Sequence, residues 1–340
     1  MFAAHKYDLG RVPADIAKVS IDIRDNHIPC CKPYRMGEVK RKEMNKIINE
    51  IKLHNIIEES DAAGGAPALL VQKPDMSWRL VINYIELNKI CKKRCYPMPN
   101  VDDYITALRG YSYYTILDLA HGYFQIELGK EEREKTAFVT EDGKYQFKRL
   151  PMGLVDAPFY FQKLMNQVMK DMKYSICLGY FDDIPIMGTT FEDLVKNMEA
   201  VFERLIKFKL KGLPDKCRFG IRQLKFLVHI VSREGLRPDP DKVAVLKKLK
   251  PPKSLKQLQS HLGCYNYFSR YIKDFAKIAA PLYQKIKKNI PFEFIEDDLN
   301  NWERLRNSLI EDCLLVHFDS RKDIKLMVDA SNVAVEEVLL

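Results

Sequence analysis

The chain has 340 residues, with 46% hydrophobic and 30% charged side chains and a formal charge of +9. That balance excludes a disordered or low-complexity chain and allows about two globular domains. The excess of Lys and Arg suits a polyanionic partner, since each phosphate contact releases counterions, but it is equally compatible with a merely soluble basic protein.

Residues 1–37 mix charge, proline and isolated apolar positions and are expected to form an extended arm. Met-Phe-Ala-Ala-His-Lys at the start has no apolar core of the kind a signal peptide carries. No stretch approaches the roughly 18 apolar residues of a membrane span, so a cytoplasmic or nuclear protein without a membrane partner is expected. The eight cysteines form no paired C-x-x-C spacing and are read as reduced thiols.

Over 38–59, Met44, Ile47, Ile48, Ile51 and Ile56 recur at helical spacing. Gly64-Gly65 breaks the pattern. Ala68–Val71 and Arg79–Ile82 then read as strands joined by the turn-type segment Lys73–Ser77. Tyr113–Leu117 is a β-rich run ending on Asp118, and Phe124–Leu128 alternates like a strand. Thr136–Thr140 and Lys144–Lys148 flank Glu141-Asp-Gly143, a hairpin signal. Helices are predicted at 157–171, after Pro158, and at 191–210. Beyond Pro238 the composition becomes Lys-rich and helical, with Ser254 and Gln257 fitting a capping box, so a domain boundary is expected near residue 236. Ile324–Val328 reads as a strand leading to Asp329.

The chemistry concentrates in Ser175–Met187, apolar except for Asp182 and Asp183. Adjacent carboxylates in an apolar strand–turn–strand repel each other and are expensive to bury, which makes the turn a suitable seat for a divalent cation. An ordinary Asp-Asp turn is the bland alternative. Asp118, at the end of another strand, would complete a three-carboxylate site of the kind that runs two-metal nucleotidyl transfer: activation of a primer 3′-hydroxyl and stabilisation of departing pyrophosphate.

Leu117-Asp-Leu-Ala-His-Gly-Tyr-Phe-Gln-Ile126, Lys135–Phe138, Leu150–Pro158 with Phe161-Gln162, Tyr180-Phe-Asp-Asp183, Phe226-Leu-Val-His229, and His261–Gly263 with Asn266-Tyr267 resemble, in order, the reverse transcriptase blocks of gypsy-type LTR retrotransposons. The resemblance runs from about residue 5 to the end. It implies an α+β right-hand polymerase. The arm would cover 1–37, fingers and palm 38–236 (fingers at 38–112 and 130–151, palm at 113–129 and 152–236), the thumb 237–290, and a connection with the start of an RNase H-like domain 291–340. The implied activity is RNA-directed DNA polymerisation with deoxynucleoside triphosphates, two Mg²⁺ ions (Mn²⁺ as a substitute) and a primed RNA or DNA template.

The resemblance also assigns roles. Asp118, Asp182 and Asp183 would be metal ligands. Tyr123 would lie under the nucleotide sugar and exclude a 2′-hydroxyl, which argues against an RNA polymerase. Arg79 would contact the triphosphate, Met152 would pack by the nucleotide, and Lys216 would stand near the leaving group. Phe226, Leu227, Val228 and His229 would form the primer grip. Lys247, Lys248, Lys250, Lys253 and Lys256 would hold the duplex by its phosphates. For Tyr123, Arg79, Met152 and Lys216 the bland alternatives are core filling or a solvated charge.

Several positions depart from the family pattern. Asn83-Tyr84-Ile85 replaces Asp-Tyr-Arg. Val228 replaces a glycine and would be strained if that position needed positive φ. His121 stands where a small residue is usual. Pro185 replaces a leucine in the returning strand of the carboxylate hairpin, where it removes a backbone donor; damaged activity is the expected result. Glu336 and Glu337 stand where small residues should follow Asp329. A catalytically impaired copy that only binds nucleic acid is the rival reading.

Overall fold

A computed structural model describes the chain except residues 25–26, 98–99, 288–291, 310–312, 317–324, 331–334 and 340. The residues fall into two compact units, one of 1–107 with 113–221 and the other of 108–112 with 222–340. The division at 221/222 precedes the composition change expected near 236.

The first unit runs α1 (Glu38–Leu53), β1 (Ile57–Glu59), β2 (Ala66–Gln72), β3 (Trp78–Ile82), α2 (Ile85–Ile90), α3 (Val101–Ala107), β4 (Tyr113–Asp118), α4 (Lys130–Arg133), β5 (Phe138–Val139), β6 (Lys144–Phe147), α5 (Ala157–Val168), β7 (Asp183–Gly188), α6 (Phe191–Lys207) and β8 (Arg218–Ile221). One sheet has the order β1-β6-β5-β2-β3 and the other β7-β4-β8. Helix α6 begins where Thr190 and Asp193 cap each other reciprocally, and it buries Leu194, Val201 and Leu205 against the second sheet. Helix α5 starts with Pro158 in its first turn and buries Phe161, Leu164, Met165 and Val168. Helix α6 packs on β4 and β7, and α5 packs on the segment Gly122–Gln125 that follows β4.

Two expectations need correction. Phe124–Leu128 is not a strand: Gly122–Gln125 is a 3₁₀ turn, and Ile126 and Glu127 make only isolated bridges. The cause is Gln125, whose buried amide donates to the carbonyls of Ala120 (2.9 Å) and Lys211 (2.8 Å) and so curls the backbone inward. The predicted helix at 38–59 stops at Leu53; Ile56 lies beyond it, fully buried before β1.

The N-terminal segment is irregular as expected but firmly packed. Phe2 bridges to Gly212 and Val12 to Ile126, and the buried Arg149 guanidinium donates to the Gly10 carbonyl at 2.9 Å. A Cβ at Gly10 would come within 2.2 Å of the Lys209 carbonyl, so only glycine lets the arm pass there.

The second unit contains β9 (Gln223–Phe226), β10 (His229–Ser232), β11 (Gly235–Pro238), α7 (Pro240–Lys247), α8 (Leu255–Tyr267), α9 (Phe275–Lys285), α10 (Glu296–Ser308), β12 (Leu315–Val316), β13 (Leu326–Ala330) and β14 (Val335–Leu339). Its main sheet is ordered β12-β11-β10-β9. Ser254 caps α8 by accepting from the Gln257 amide, while the Gln257 side chain accepts from Lys253 rather than from the cap residue. The predicted strand at 324–328 is β13, displaced to 326–330; Ile324 lies outside the described residues. Asp329 pairs with Glu336 and Val328 with Glu337 in the β13–β14 ladder. All eight cysteines are free, and no described helix is long and apolar enough to cross a membrane.

Candidate active site

The site forms where β4 ends and β7 begins. The two strands are antiparallel, and their register sets Asp118 opposite Asp183. Immediately before β7 the chain reverses over Phe181-Asp182, with Tyr180 and Asp183 exchanging backbone hydrogen bonds of 3.0 Å each. Phe181 has φ +50°, a positive value at the first central position, which a two-residue hairpin turn of this hand requires. The Leu119 amide donates to the Asp182 carbonyl at 3.0 Å and ties the turn to the end of β4. The expected strand–turn–strand is therefore a turn with one regular arm, since Ile176–Tyr180 joins β7 only through isolated bridges.

Asp182 is the most perturbed of the three carboxyls. Burial and the charges of Asp118 and Asp183 push its pKa up to about 7. Burial also raises Asp118, with the Lys216 ammonium 3.6 Å away opposing it. Burial and Asp118 raise Asp183. Asp182 Oδ1 is buried without a hydrogen-bond partner, and a Cβ on Gly122 would lie 2.2 Å from it. Gly122 thus leaves the space this carboxylate occupies. The donor set is all oxygen, crowded and under-compensated, which fits a hard divalent cation. Among the described residues no three acidic, His or Cys side chains close around one point, so a cation would need further oxygens to complete its shell.

Tyr123 belongs to this cluster. Its ring lies 4.9 Å from that of Phe161, and burial with the Asp182 charge raises its hydroxyl to about 12. Arg79 is exposed on β3, paired across the ladder with Val71. Its charge, with those of Lys6, Lys216 and Lys73, adds to burial in lowering the pKa of His121. Met152 is 46% exposed ahead of α5, and the carbonyl of the next residue, Gly153, accepts from Asn88. Asn83 donates to the Tyr34 hydroxyl at 2.8 Å, and Ile85 is exposed at the start of α2.

Pro185 is buried in β7 opposite Ile116. Its carbonyl accepts from Leu178 at 2.9 Å, and Met187 donates to Ile176 at 2.9 Å, so this edge of residue 185 faces the 176–180 segment and not β4. The β4–β7 ladder loses nothing. The bond that proline withholds is the return from residue 185 to the Leu178 carbonyl.

In the second unit, Phe226 and His229 pair across a two-residue turn. Phe226 is buried, and so is His229, whose Nδ1 is 2.7 Å from the Tyr271 hydroxyl. Only Leu227 and Val228 are partly exposed. Positive φ falls on Leu227 (+57°), so the strain expected at Val228 lies one residue earlier. Lys247, Lys248, Lys250, Lys253 and Lys256 are exposed at the end of α7, the following turn and the start of α8. The importance of Gly122 was not readable in the sequence, because it depends on a segment remote along the chain.

Residues 71–231 match the family described as reverse transcriptase (RNA-dependent DNA polymerase). The chain is 34% identical over 314 residues to the retrovirus-related Pol polyprotein from transposon 297 of Drosophila melanogaster, covering 91% of this chain and 30% of that protein. It is 33% identical to the Pol polyprotein from transposon gypsy of the same organism, covering 87% and 30%, and 30% identical to the transposon Tf2-3 polyprotein of Schizosaccharomyces pombe, covering 97% and 25%. The chain thus spans less than a third of these relatives. A foamy viral protease-reverse transcriptase solved with double-stranded DNA superposes with a TM-score of 0.85 at 21% identity, covering 97% of this chain and 58% of that one. That likeness establishes the right-hand polymerase fold. With its carboxylate turn set against Asp118, its family match and its Pol relatives, the chain belongs to the reverse transcriptases of LTR retrotransposons.

Proposed function

We propose that this chain is an RNA-directed DNA polymerase that adds deoxynucleotides to a primer 3′-hydroxyl. The observation that carries the proposal is the turn setting Asp182 and Asp183 against Asp118, with Asp182 Oδ1 left unsatisfied. Asp118, Asp182 and Asp183 would hold two Mg²⁺ ions, for which Mn²⁺ could substitute. Such ions, when bound, would activate the primer hydroxyl and neutralise charge on the departing pyrophosphate.

The remaining roles belong to side chains. Arg79 presents a permanent charge with fork geometry to the triphosphate, and Lys216 neutralises charge beside Asp118. Tyr123 stacks under the sugar and blocks a 2′-hydroxyl by its bulk. Met152 packs beside the nucleotide. Leu227 and Val228 form the exposed part of a primer grip that Phe226 and His229 support from within. Lys247, Lys248, Lys250, Lys253 and Lys256 bind duplex phosphates. Residues 38–221 serve as fingers and palm and the helices from 240 to 285 as the thumb. The foamy viral relatives solved with double-stranded DNA and with an RNA/DNA hybrid support a primed-template partner.

The test is extension of a primed RNA template with deoxynucleotides and Mg²⁺. Extension by the parent, with Tyr123→Ala raising ribonucleotide use relative to deoxynucleotide, supports the proposal. Failure to extend under any divalent ion sinks it. One observation favours a second reading, an impaired copy that binds nucleic acid without extending it: the hydrogen bond that Pro185 withholds inside the catalytic hairpin. Retained primer–template binding without extension identifies that case.

A further inference from the structure

Gln125 closes the Gly122–Gln125 turn and is fully buried. A buried amide is costly unless its donors and its acceptor find partners. Lys211, 86 residues further along the chain, supplies two of them. The Gln125 Nε2 donates to the Lys211 carbonyl at 2.8 Å, and the Gln125 Oε1 accepts from the Lys211 amide at 2.8 Å. The side chain thus pairs with the Lys211 backbone as a residue of an adjacent strand would, through two exchanged bonds. The second Nε2 hydrogen goes to the Ala120 carbonyl at 2.9 Å. A methionine would fill the same buried space, so burial alone does not call for glutamine. The bonds to Lys211 do.

Two parts of the candidate site meet at this amide. On one side is the turn that carries Tyr123, two residues before Gln125, and Gly122, which lies against Asp182. On the other side, Lys211 opens a segment that runs along the end of β4. The Ala120 amide donates to the Lys211 carbonyl at 3.0 Å, Leu119 bridges to Gly212, and the Leu213 amide donates to the Asp118 carbonyl at 2.8 Å. The short 3₁₀ turn Pro214–Lys216 follows at once and brings the Lys216 ammonium to 3.6 Å from the Asp118 carboxylate. Tyr123 and Lys216, assigned above to the sugar and to the leaving group, are therefore joined through one buried side chain.

We propose that Gln125 is a positioning residue of the polymerase site: its amide, bonded to the Lys211 backbone, holds Tyr123 and Lys216 in fixed relation on either side of Asp118. Sugar selection and nucleotide affinity then depend together on a side chain that touches neither nucleotide nor metal. This role rests on the proposed function, through which Tyr123 and Lys216 meet the nucleotide.

The experiment measures binding rather than turnover. The full chain is assembled with Mg²⁺ on a primer–template whose primer ends in a dideoxynucleotide. Dissociation constants of the complementary deoxynucleoside and ribonucleoside triphosphates are read from retention of the ternary complex under heparin challenge. Gln125→Met keeps the volume and removes the amide. It should weaken deoxynucleotide binding about tenfold and lower the preference for deoxynucleotide over ribonucleotide several-fold. Lys216→Ala should cost the parent more affinity than it costs Gln125→Met, because a lysine already displaced has less to lose. Gln125→Glu keeps the length and the acceptor and regains a donor when neutral. Relative to the parent at the same pH, its preference should therefore recover as pH falls from about 8 to 6, since burial favours the neutral acid. Primer–template affinity should stay within about twofold of the parent in both variants, because phosphate contacts by Lys and Arg carry it. If primer–template and nucleotide affinity fall together in both, the amide merely holds the fold and the inference is overturned. An unchanged sugar preference in Gln125→Met, with an additive effect of Lys216→Ala, also overturns it and leaves the proposed function standing. A parent that binds primer–template but no complementary nucleotide overturns both.

Discussion

Two turns in this molecule share a backbone and differ in everything it carries. Phe181-Asp182 and Leu227-Val228 are both two-residue hairpin turns with a non-glycine residue at positive φ in first place, +50° and +57°. Each such residue stores about 1–3 kcal/mol of strain. The first turn uses the geometry to set carboxylates against the end of β4, leaving Asp182 Oδ1 buried and unsatisfied. The second exposes two aliphatic side chains and folds Phe226 and His229 inward, where His229 meets Tyr271. Strain at the second turn is supported by a fully paired β9–β10 ladder. Strain at the first adds to charge repulsion and to a missing rung at Pro185, so the proposed chemistry falls where the fold is least comfortable.

The comparison breaks most visibly if the acids of the first turn are removed. Asp182→Asn should lower primer extension at least about a hundredfold while primer–template affinity stays close to that of the parent, because Lys and Arg contacts to phosphate carry affinity. Undiminished extension by this variant would end the metal assignment.

The second effect is on stability. Asp182 titrates at about 7 in the folded chain against an ordinary value of 3.8. The folded state therefore binds more protons than the unfolded state across that window, and stability falls as pH rises from about 4 through 7. In metal-free buffer Asp182→Asn should melt higher than the parent at pH 8, and the difference should shrink towards pH 4. Mg²⁺ should raise the melting temperature of the parent more than that of the variant. A parent whose melting temperature does not vary with pH over this range would contradict the repulsion.

The third separates neighbours in the second turn. Leu227→Gly relieves positive φ and should stabilise the chain by up to about 1 kcal/mol in denaturant unfolding. Val228→Gly relieves nothing and should be neutral or slightly destabilising. The reverse ranking would relocate the strain to Val228.

The smallest effect concerns Pro185. Restoring an N–H with Pro185→Leu completes the rung to Leu178 and adds roughly 1 kcal/mol, offset in part by fitting a larger side chain into a buried place. Because the β4–β7 ladder is already intact, the gain in extension should fall below tenfold. A gain well above that would mean the proline displaces the carboxylates themselves.

Legibility followed the range of the interactions. Helices α5 and α6 and strands β2, β3 and β4 were visible because hydrophobic period and Pro158 act within a few residues. The strand expected at 124–128 failed because Gln125 bonds to the carbonyl of Lys211, far along the chain, and that contact outweighs local alternation.

The sequence by itself singled out the residues proposed to carry the chemistry: an acid at the end of one apolar strand and an acid pair within another apolar run are expensive unless they work together. It could not determine how they are seated. The register of Asp118 against Asp183, the space that Gly122 leaves for Asp182 and the edge on which Pro185 withholds its bond were decided by tertiary structure. Each depends on the packing of distant segments, and local pattern carries no information about which distant surface a side chain will meet.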